Sequence, residues 1–189
     1  MEKTHKLTTR KIVFVALMAA LTAVGSALRI TLPLDIAGTT SFHLGNIFCA
    51  LSGILLGPWL GGLAAGLGSA IYDMFNPLYI SEAWITFLMK GAYGLATGLV
   101  IRAGQKDWGY VKSVLATLAG AVTYAVLYLA KSYFYSGLLI KGLAPDAAWL
   151  TIIGKLPATI FNAVVAIIFA PILAVAIDKA LKKSHLTLE

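Results

Sequence analysis

Residues 43–74, HLGNIFCALSGILLGPWLGGLAAGLGSAIYDM, decide the fold. Two apolar helical segments meet at Gly57-Pro58, and no Asp, Glu, Lys or Arg precedes Asp73 in the stretch. The second segment carries two rows of small residues, Gly61/Ala65/Ser69 and Gly62/Gly66/Ala70, each at a spacing of four. That spacing returns to one helix face, and small residues there let backbones approach closely, which is how helices pack in lipid. Asp73, Asn76 and Pro77 follow, placing polar groups and a helix breaker at one edge. The stretch predicts a tight membrane bundle with a polar mouth.

Composition agrees. The chain has 189 residues, is 59% hydrophobic and only 12% charged, which excludes an ordinary soluble domain. Its formal charge of +7 could point to nucleic acid, but the basic residues sit in short clusters beside apolar runs. Orientation in a lipid bilayer explains them better, so no nucleic-acid partner is expected. The lone Cys49 permits neither a disulfide framework nor a CxxC metal site. No A-x-A-like site follows Val13–Ala27, so a cleaved signal peptide is not expected.

A helix needs roughly 20 apolar residues to span a bilayer, fewer where it is buried in a bundle. Six spans are predicted, at about 11–30, 43–57, 58–75, 83–102, 112–138 and 148–178, forming a single membrane domain over 1–189. The predicted fold is therefore an all-α, six-transmembrane-helix bundle in a prokaryotic cell membrane. Lys3, Lys6, Arg10 and Lys11 precede the first span; Arg102, Lys106 and Lys112 separate the fourth and fifth; Lys179, Lys182 and Lys183 follow the sixth. Six spans place all of these on one side, so both termini are expected to be cytoplasmic. The outer face then receives the irregular loop 31–42, the loop 76–82 and the loop 139–147. Arg29 and Lys141 fall near that outer interface, where snorkelling suffices.

The intramembrane polar groups carry the chemistry. Lys90 lies about eight residues into its span, roughly 12 Å deep at 1.5 Å per residue. An isolated lysine there costs about 2.5–3.5 kcal/mol, so it should face protein or water and have a partner. Asp73 is the natural candidate, in a structural ion pair or in a ligand site. Tyr124, Tyr128 and Lys131 fall on one helical face, either as an interfacial aromatic belt or as a stacking surface. Lys155 aligns with Asn162 seven residues on, and Pro157 between them could open the helix locally. His43 and Asn46 share a face of the second span; His43 reads equally as a helix cap, and Asn46 and Asn162 as interhelical hydrogen bonds. With Trp84, these ten residues are the candidate substrate site, because apolar walls with a few placed polar groups suit a small-molecule pocket.

Absent motifs narrow the function. No GxxxxGK[ST] loop is present, so ATP hydrolysis by that route belongs to another chain. No HExxH occurs, and His5, His43 and His185 are too scattered for a metal centre. Ser69 sits in GLGSA rather than GxSxG. Neither an enzyme nor a cofactor is expected. A stand-alone secondary transporter should show inverted repeats, and none is evident.

Span 1 carries Ala16-x-x-x-Ala20, which reads either as intramolecular packing or as a docking strip. Together with ILLGPWLGGLAAGLGSAIYD at Ile54–Asp73 and TFLMKG at Thr86–Gly91, it resembles the S components of energy-coupling factor (ECF) vitamin transporters. The match covers nearly the whole chain and looks closest to the hydroxymethylpyrimidine, pyridoxine and riboflavin-type subgroup. The resemblance implies a high-affinity binding subunit that works with a membrane coupling protein (the T component) and two cytoplasmic ATPases. It further implies docking at Ala16 and Ala20, and a pocket formed by the 31–42 loop, Asn46 and inward residues of spans 4 to 6. A pyridoxine-like or hydroxymethylpyrimidine ring is the first expectation for the ligand, pantothenate the second and riboflavin the third.

Overall fold

The computed structural model describes residues 8–34, 38–104 and 108–184. Lys3, Lys6, Lys106, His5, His185 and the loop tip 35–37 lie outside them. Six α-helices run in order: α1 Thr9–Ala27, α2 Gly45–Leu56, α3 Pro58–Met74, α4 Ala83–Arg102, α5 Tyr110–Ala130 and α6 Pro145–Lys183. A 3-10 turn, Ile80–Glu82, leads into α4, and α5 continues as a π-helix over Lys131–Ile140. Hydrophobic periodicity predicts neither the π-helix nor the full length of α6.

The described residues of the predicted loop 31–42 are strands rather than irregular backbone. Strands β1 (Arg29–Leu34) and β2 (Gly38–His43) pair antiparallel, with Arg29 opposite His43 and Leu34 opposite Gly38. β-Branched Ile30, Thr31, Thr39 and Thr40 favour extended backbone, and Ile30 and Leu32 both turn outward. Helix α1 accordingly stops at Ala27, short of the predicted residue 30. The described residues are helical apart from this hairpin and the connecting turns.

The helix ends follow local chemistry. The Thr8 hydroxyl accepts from the Lys11 amide at the start of α1. Gly57 takes φ 78°, a left-handed conformation that glycine adopts without strain, and Pro58 opens α3. Pro145 and Asp146 begin α6, and Lys182 and Lys183 close it, matching the helix dipole. Pro157 and Pro171 lie inside α6, which continues as helix through both, so the expected opening at Pro157 is not seen.

Helix α3 is the hub, packing on α1, α2 and α4. A Cβ at Gly61 would come within 2.5 Å of the Ser52 carbonyl on α2, and one at Gly66 within 2.7 Å of the Phe87 carbonyl on α4. The two glycine rows therefore serve different neighbours, and Gly68, in neither row, abuts the Ala19 carbonyl of α1. Below them Val15, Met18, Leu51, Ile54, Ala64, Ile101 and Ala174 form an apolar core near the Gly57 turn.

Four helical stretches, Thr9–Ala27, Ile80–Arg102, Tyr110–Ile140 and Pro145–Lys183, are long and apolar enough to cross a membrane. Helix α2 has 12 residues, about 18 Å at 1.5 Å per residue, which is shorter than the roughly 30 Å hydrocarbon layer. Large apolar side chains point outward along the long helices, among them Leu17, Leu99, Val126 and Phe169. A multi-pass membrane protein is the consistent reading, since lipid covers the apolar surface that water would not.

Candidate functional site

A cavity of about 340 Å³ lies beneath the hairpin, between it and the upper parts of α3, α4, α5 and α6. That volume falls at the lower end of small-molecule sites. Its floor meets an apolar core that includes Ile47, Ala65, Ile85, Met89, Tyr93 and Tyr124.

The three lysines predicted for the site, Lys90, Lys131 and Lys155, occupy three different environments. Lys90, 4% exposed, donates to Asn46 Oδ1 and sits 3.8 Å from the centroid of the Tyr124 ring. It forms no ion pair with Asp73, so the expected partnership is replaced by an amide and an aromatic face. Lys131 pairs with Glu82 at 2.5 Å. Lys155, 6% exposed, donates a long 3.4 Å bond to Ser132 Oγ and lies 5.4 Å from the Tyr128 ring centroid.

Tyr124 and Tyr128 stack on each other with centroids 5.6 Å apart, and Tyr93 stacks behind Tyr124 at 6.0 Å. One step per helical turn along α5 puts both tyrosines on the same face, as their spacing predicts. The column is already engaged by two ammonium groups, a cation–π arrangement worth more when desolvated.

Asn162 (α6) behaves like a missing neighbour strand. Its Oδ1 accepts from the His43 amide at 2.9 Å and its Nδ2 donates to the Ser41 carbonyl at 2.8 Å. The Ser41 hydroxyl meets Tyr79 Oη at 3.1 Å and Thr31 Oγ1 at 3.0 Å. Phe42 packs edge-on against Phe161. The hairpin is thus pinned to α6 on one side and to the α3–α4 connection on the other. Burial alone would raise the Tyr79 phenol, but hydrogen bonding with Ser41, Thr39 and Thr31 and the charge of Arg29 bring it below the usual tyrosine range.

Eight of the ten predicted residues border the cavity: His43, Asp73, Lys90, Tyr124, Tyr128, Lys131, Lys155 and Asn162. The His43 Nδ1 also accepts from the Gly45 amide at 3.1 Å, so His43 caps α2 as well. Asn46 lies behind Lys90 rather than on the wall. Trp84 is 59% exposed, away from the cavity, with its ring edge-on to Tyr135.

Sequence reasoning missed Arg29, Tyr79, Ser136 and Lys141, which border the cavity together with Thr39, Thr40 and Ser41 of the 31–42 loop that the resemblance put at the pocket. Arg29 does not snorkel. Its Nε donates to the Ser26 carbonyl at 2.6 Å, and its guanidinium stacks over Tyr72 and Tyr79 at 4.1 and 4.9 Å. The short alternation of Ile and Thr after Arg29 was the available signal. Ala16 and Ala20 are exposed on α1, whereas Ala19 is buried against α3, so intramolecular packing does not use that strip.

Two comparisons with curated proteins are uninformative about cargo. The chain is 30% identical over 118 residues to a Pyrococcus woesei protein named "Uncharacterized protein in gap 3'region", covering 62% of this chain and 74% of that one. It is also 30% identical over 129 residues to a UPF0397 protein from Streptococcus pneumoniae (strain Hungary19A-6), covering 65% of this chain and 68% of that one. More informative is the match of residues 6–179 to the family described as ECF-type riboflavin transporter, S component. A helical membrane chain with a polar cavity under a pinned hairpin, matched over nearly its whole length, therefore belongs to the ECF S components, the vitamin-transport subunits of that family.

Proposed function

We propose that this chain is the high-affinity binding subunit of an ATP-driven ECF importer, taking up a small water-soluble vitamin or precursor. The observation that carries this reading is the cavity itself, small and polar, held beneath a hairpin clamped by Asn162 and Tyr79. Six spans with both termini cytoplasmic fit the clustering of basic residues at the Gly57 end, where Arg102 lies against the turn. A membrane coupling protein and two cytoplasmic ATPases would supply the energy. The outward Ala16/Ala20 strip is the surface proposed to meet the coupling protein.

The lining supports some cargoes better than others. Arg29, Lys90, Lys131, Lys141 and Lys155 face the cavity against Asp73 and Glu82, a net positive wall. Lysines already cover the tyrosine faces, so stacking alone does not define the ligand. A pyridoxine-like ring, whose 3-hydroxyl ionises readily, matches this wall better than the neutral hydroxymethylpyrimidine ring. Pantothenate is the second reading, favoured by the same lysines through its carboxylate. Riboflavin is the third reading: the description of the matched family supports it, whereas the basic wall favours a ligand with an ionisable group over its neutral ring.

Mass spectrometry of the small molecule co-purifying with the detergent-extracted chain tests the cargo. Liposomes carrying this chain alone should bind vitamin without accumulating it; unaided accumulation would sink the subunit reading. Ala16→Trp should abolish uptake by the full complex while leaving binding intact, and surviving uptake would remove the docking role.

A further inference from the structure

Lys155 and Ser136 are unlike the other polar groups of the cavity. Lys90 has a close amide and a close aromatic face, and Lys131 has Glu82. Lys155 is as buried as Lys90, yet its hydrogen bond to Ser132 spans 3.4 Å, and no carboxylate among the described residues pairs with it. A buried ammonium in such a setting is costly unless something completes it. Ser136 Oγ is buried without a hydrogen-bond partner among the described residues and lines the same cavity. Orphaned buried hydroxyls call for an explanation, and a ligand is one.

Ser136 lies on the π-helix, and Lys155 meets that segment from α6. Lys131–Ile140 winds wider than an α-helix, and this segment brings Lys131, Ser132 and Ser136 toward Lys155 on α6. Single π segments recur at functional sites for this reason. Lys141, at the end of the segment, carries its ammonium across to the hairpin, 3.3 Å from where a Cβ on Gly38 would stand. Of the two carboxylates that border the cavity, Glu82 already engages Lys131, and Asp73 sits on another element, at the end of α3.

We propose that the π-helix end of the cavity is an anion subsite, in which Lys155 and Ser136 hold a carboxylate or an ionised phenol of the ligand. The ammonium supplies a charge-assisted hydrogen bond and the serine hydroxyl a second donor to the same group. Lys90 instead serves the other end, where its charge is already shared with Asn46 and Tyr124. The subsite rests on the vitamin-binding reading and adds to it the charge of the cargo and the residues that read it.

The test uses matched pairs on the full chain in detergent, by calorimetry: pantothenate against pantothenol, and pyridoxine against 3-O-methylpyridoxine. In at least one pair the ionisable member should bind about tenfold or more tightly than its neutral partner, the gain expected of a hydrogen bond to a charged group. Lys155→Gln should collapse that preference and Ser136→Ala should reduce it, whereas Lys90→Gln should weaken both members alike. Lys155→Arg keeps the charge and should keep the preference, which guards against misreading a folding defect. Equal affinities in both pairs, binding by none of the four, or an unchanged preference in Lys155→Gln would overturn the subsite. Tight binding of a neutral vitamin would also overturn it while upholding the transporter reading. Absence of uptake by the reconstituted complex for every vitamin would instead remove that reading.

Discussion

The α1–α4 side of this protein and its α5–α6 side solve opposite problems. Around α3 the helices close until backbone meets backbone, with glycines at the crossings. Hydroxyls there, such as those of Ser52 and Thr22, hand their hydrogen bonds back to nearby carbonyls. Around α5 and α6 the chain keeps large polar side chains inside, widens a helix into a π-helix and roofs the space with a hairpin. Lipid gives apolar helices no reason to prefer each other over tails, so close contact has to come from small residues. A cavity needs the reverse, and side chains as large as Tyr128 and Lys155 hold the helices apart. The contrast teaches that close packing and an open polar cavity call for opposite side chains, small at the one and large at the other.

Substitutions can break that contrast. The largest effect should follow Gly66→Leu, because the side chain would strike the Phe87 backbone and separate α3 from α4. A loss of about 3 kcal/mol or failure to fold is expected from such overpacking, read by thermal unfolding in detergent. Retained stability would mean that the glycine row is not a close-packed seam. Lys90→Ala acts on the cavity, which α4 also borders, and should weaken ligand binding by about 1–3 kcal/mol, also leaving Asn46 without its partner. Unchanged affinity in a folded variant would make Lys90 a purely structural group.

A subtler change is Asn162→Ala, which removes both bonds from α6 to β2. Each such bond contributes about 1 kcal/mol, so the hairpin should open more often without unfolding the helices. Hydrogen exchange at the His43 amide should accelerate while the α3 amides stay protected. Equal protection in both would show that the hairpin is held elsewhere. Smallest of all, Trp84→Ala should alter affinity by less than about 0.5 kcal/mol, since an exposed side chain away from the cavity behaves as surface. A large loss would extend the site beyond its present wall.

Much of the packed side is legible in the sequence. Small residues at a spacing of four, a Gly-Pro break and apolar runs are local signals, and a helix places them on one face without help from distant parts of the chain. The candidate site is legible as a set of residues bordering one cavity but not as a geometry. Eight of its ten predicted residues face one cavity because helices with inward polar groups can bury them only together. The partnerships do not follow. Lys90 takes Asn46 instead of Asp73 because the offset between α2 and α4 decides which side chain is near, and no spacing within one helix encodes that. Arg29 and Ser136 stay hidden for related reasons. One lies at the root of a hairpin that reads as a loop, and the other is turned inward by a π-helix that periodicity at 3.6 residues does not describe.

What the sequence determined by itself is therefore the class: a membrane bundle packed on small residues, with charged groups too deep to be incidental and no phosphate-binding loop for hydrolysing ATP. What only the tertiary structure decided is who faces whom. It clamps the hairpin through Asn162, leaves Lys155 and Ser136 with unfinished hydrogen bonding and turns Ala16 and Ala20 outward. Periodicity is a property of one helix, whereas a binding site is set by the rotation and offset of several helices against one another.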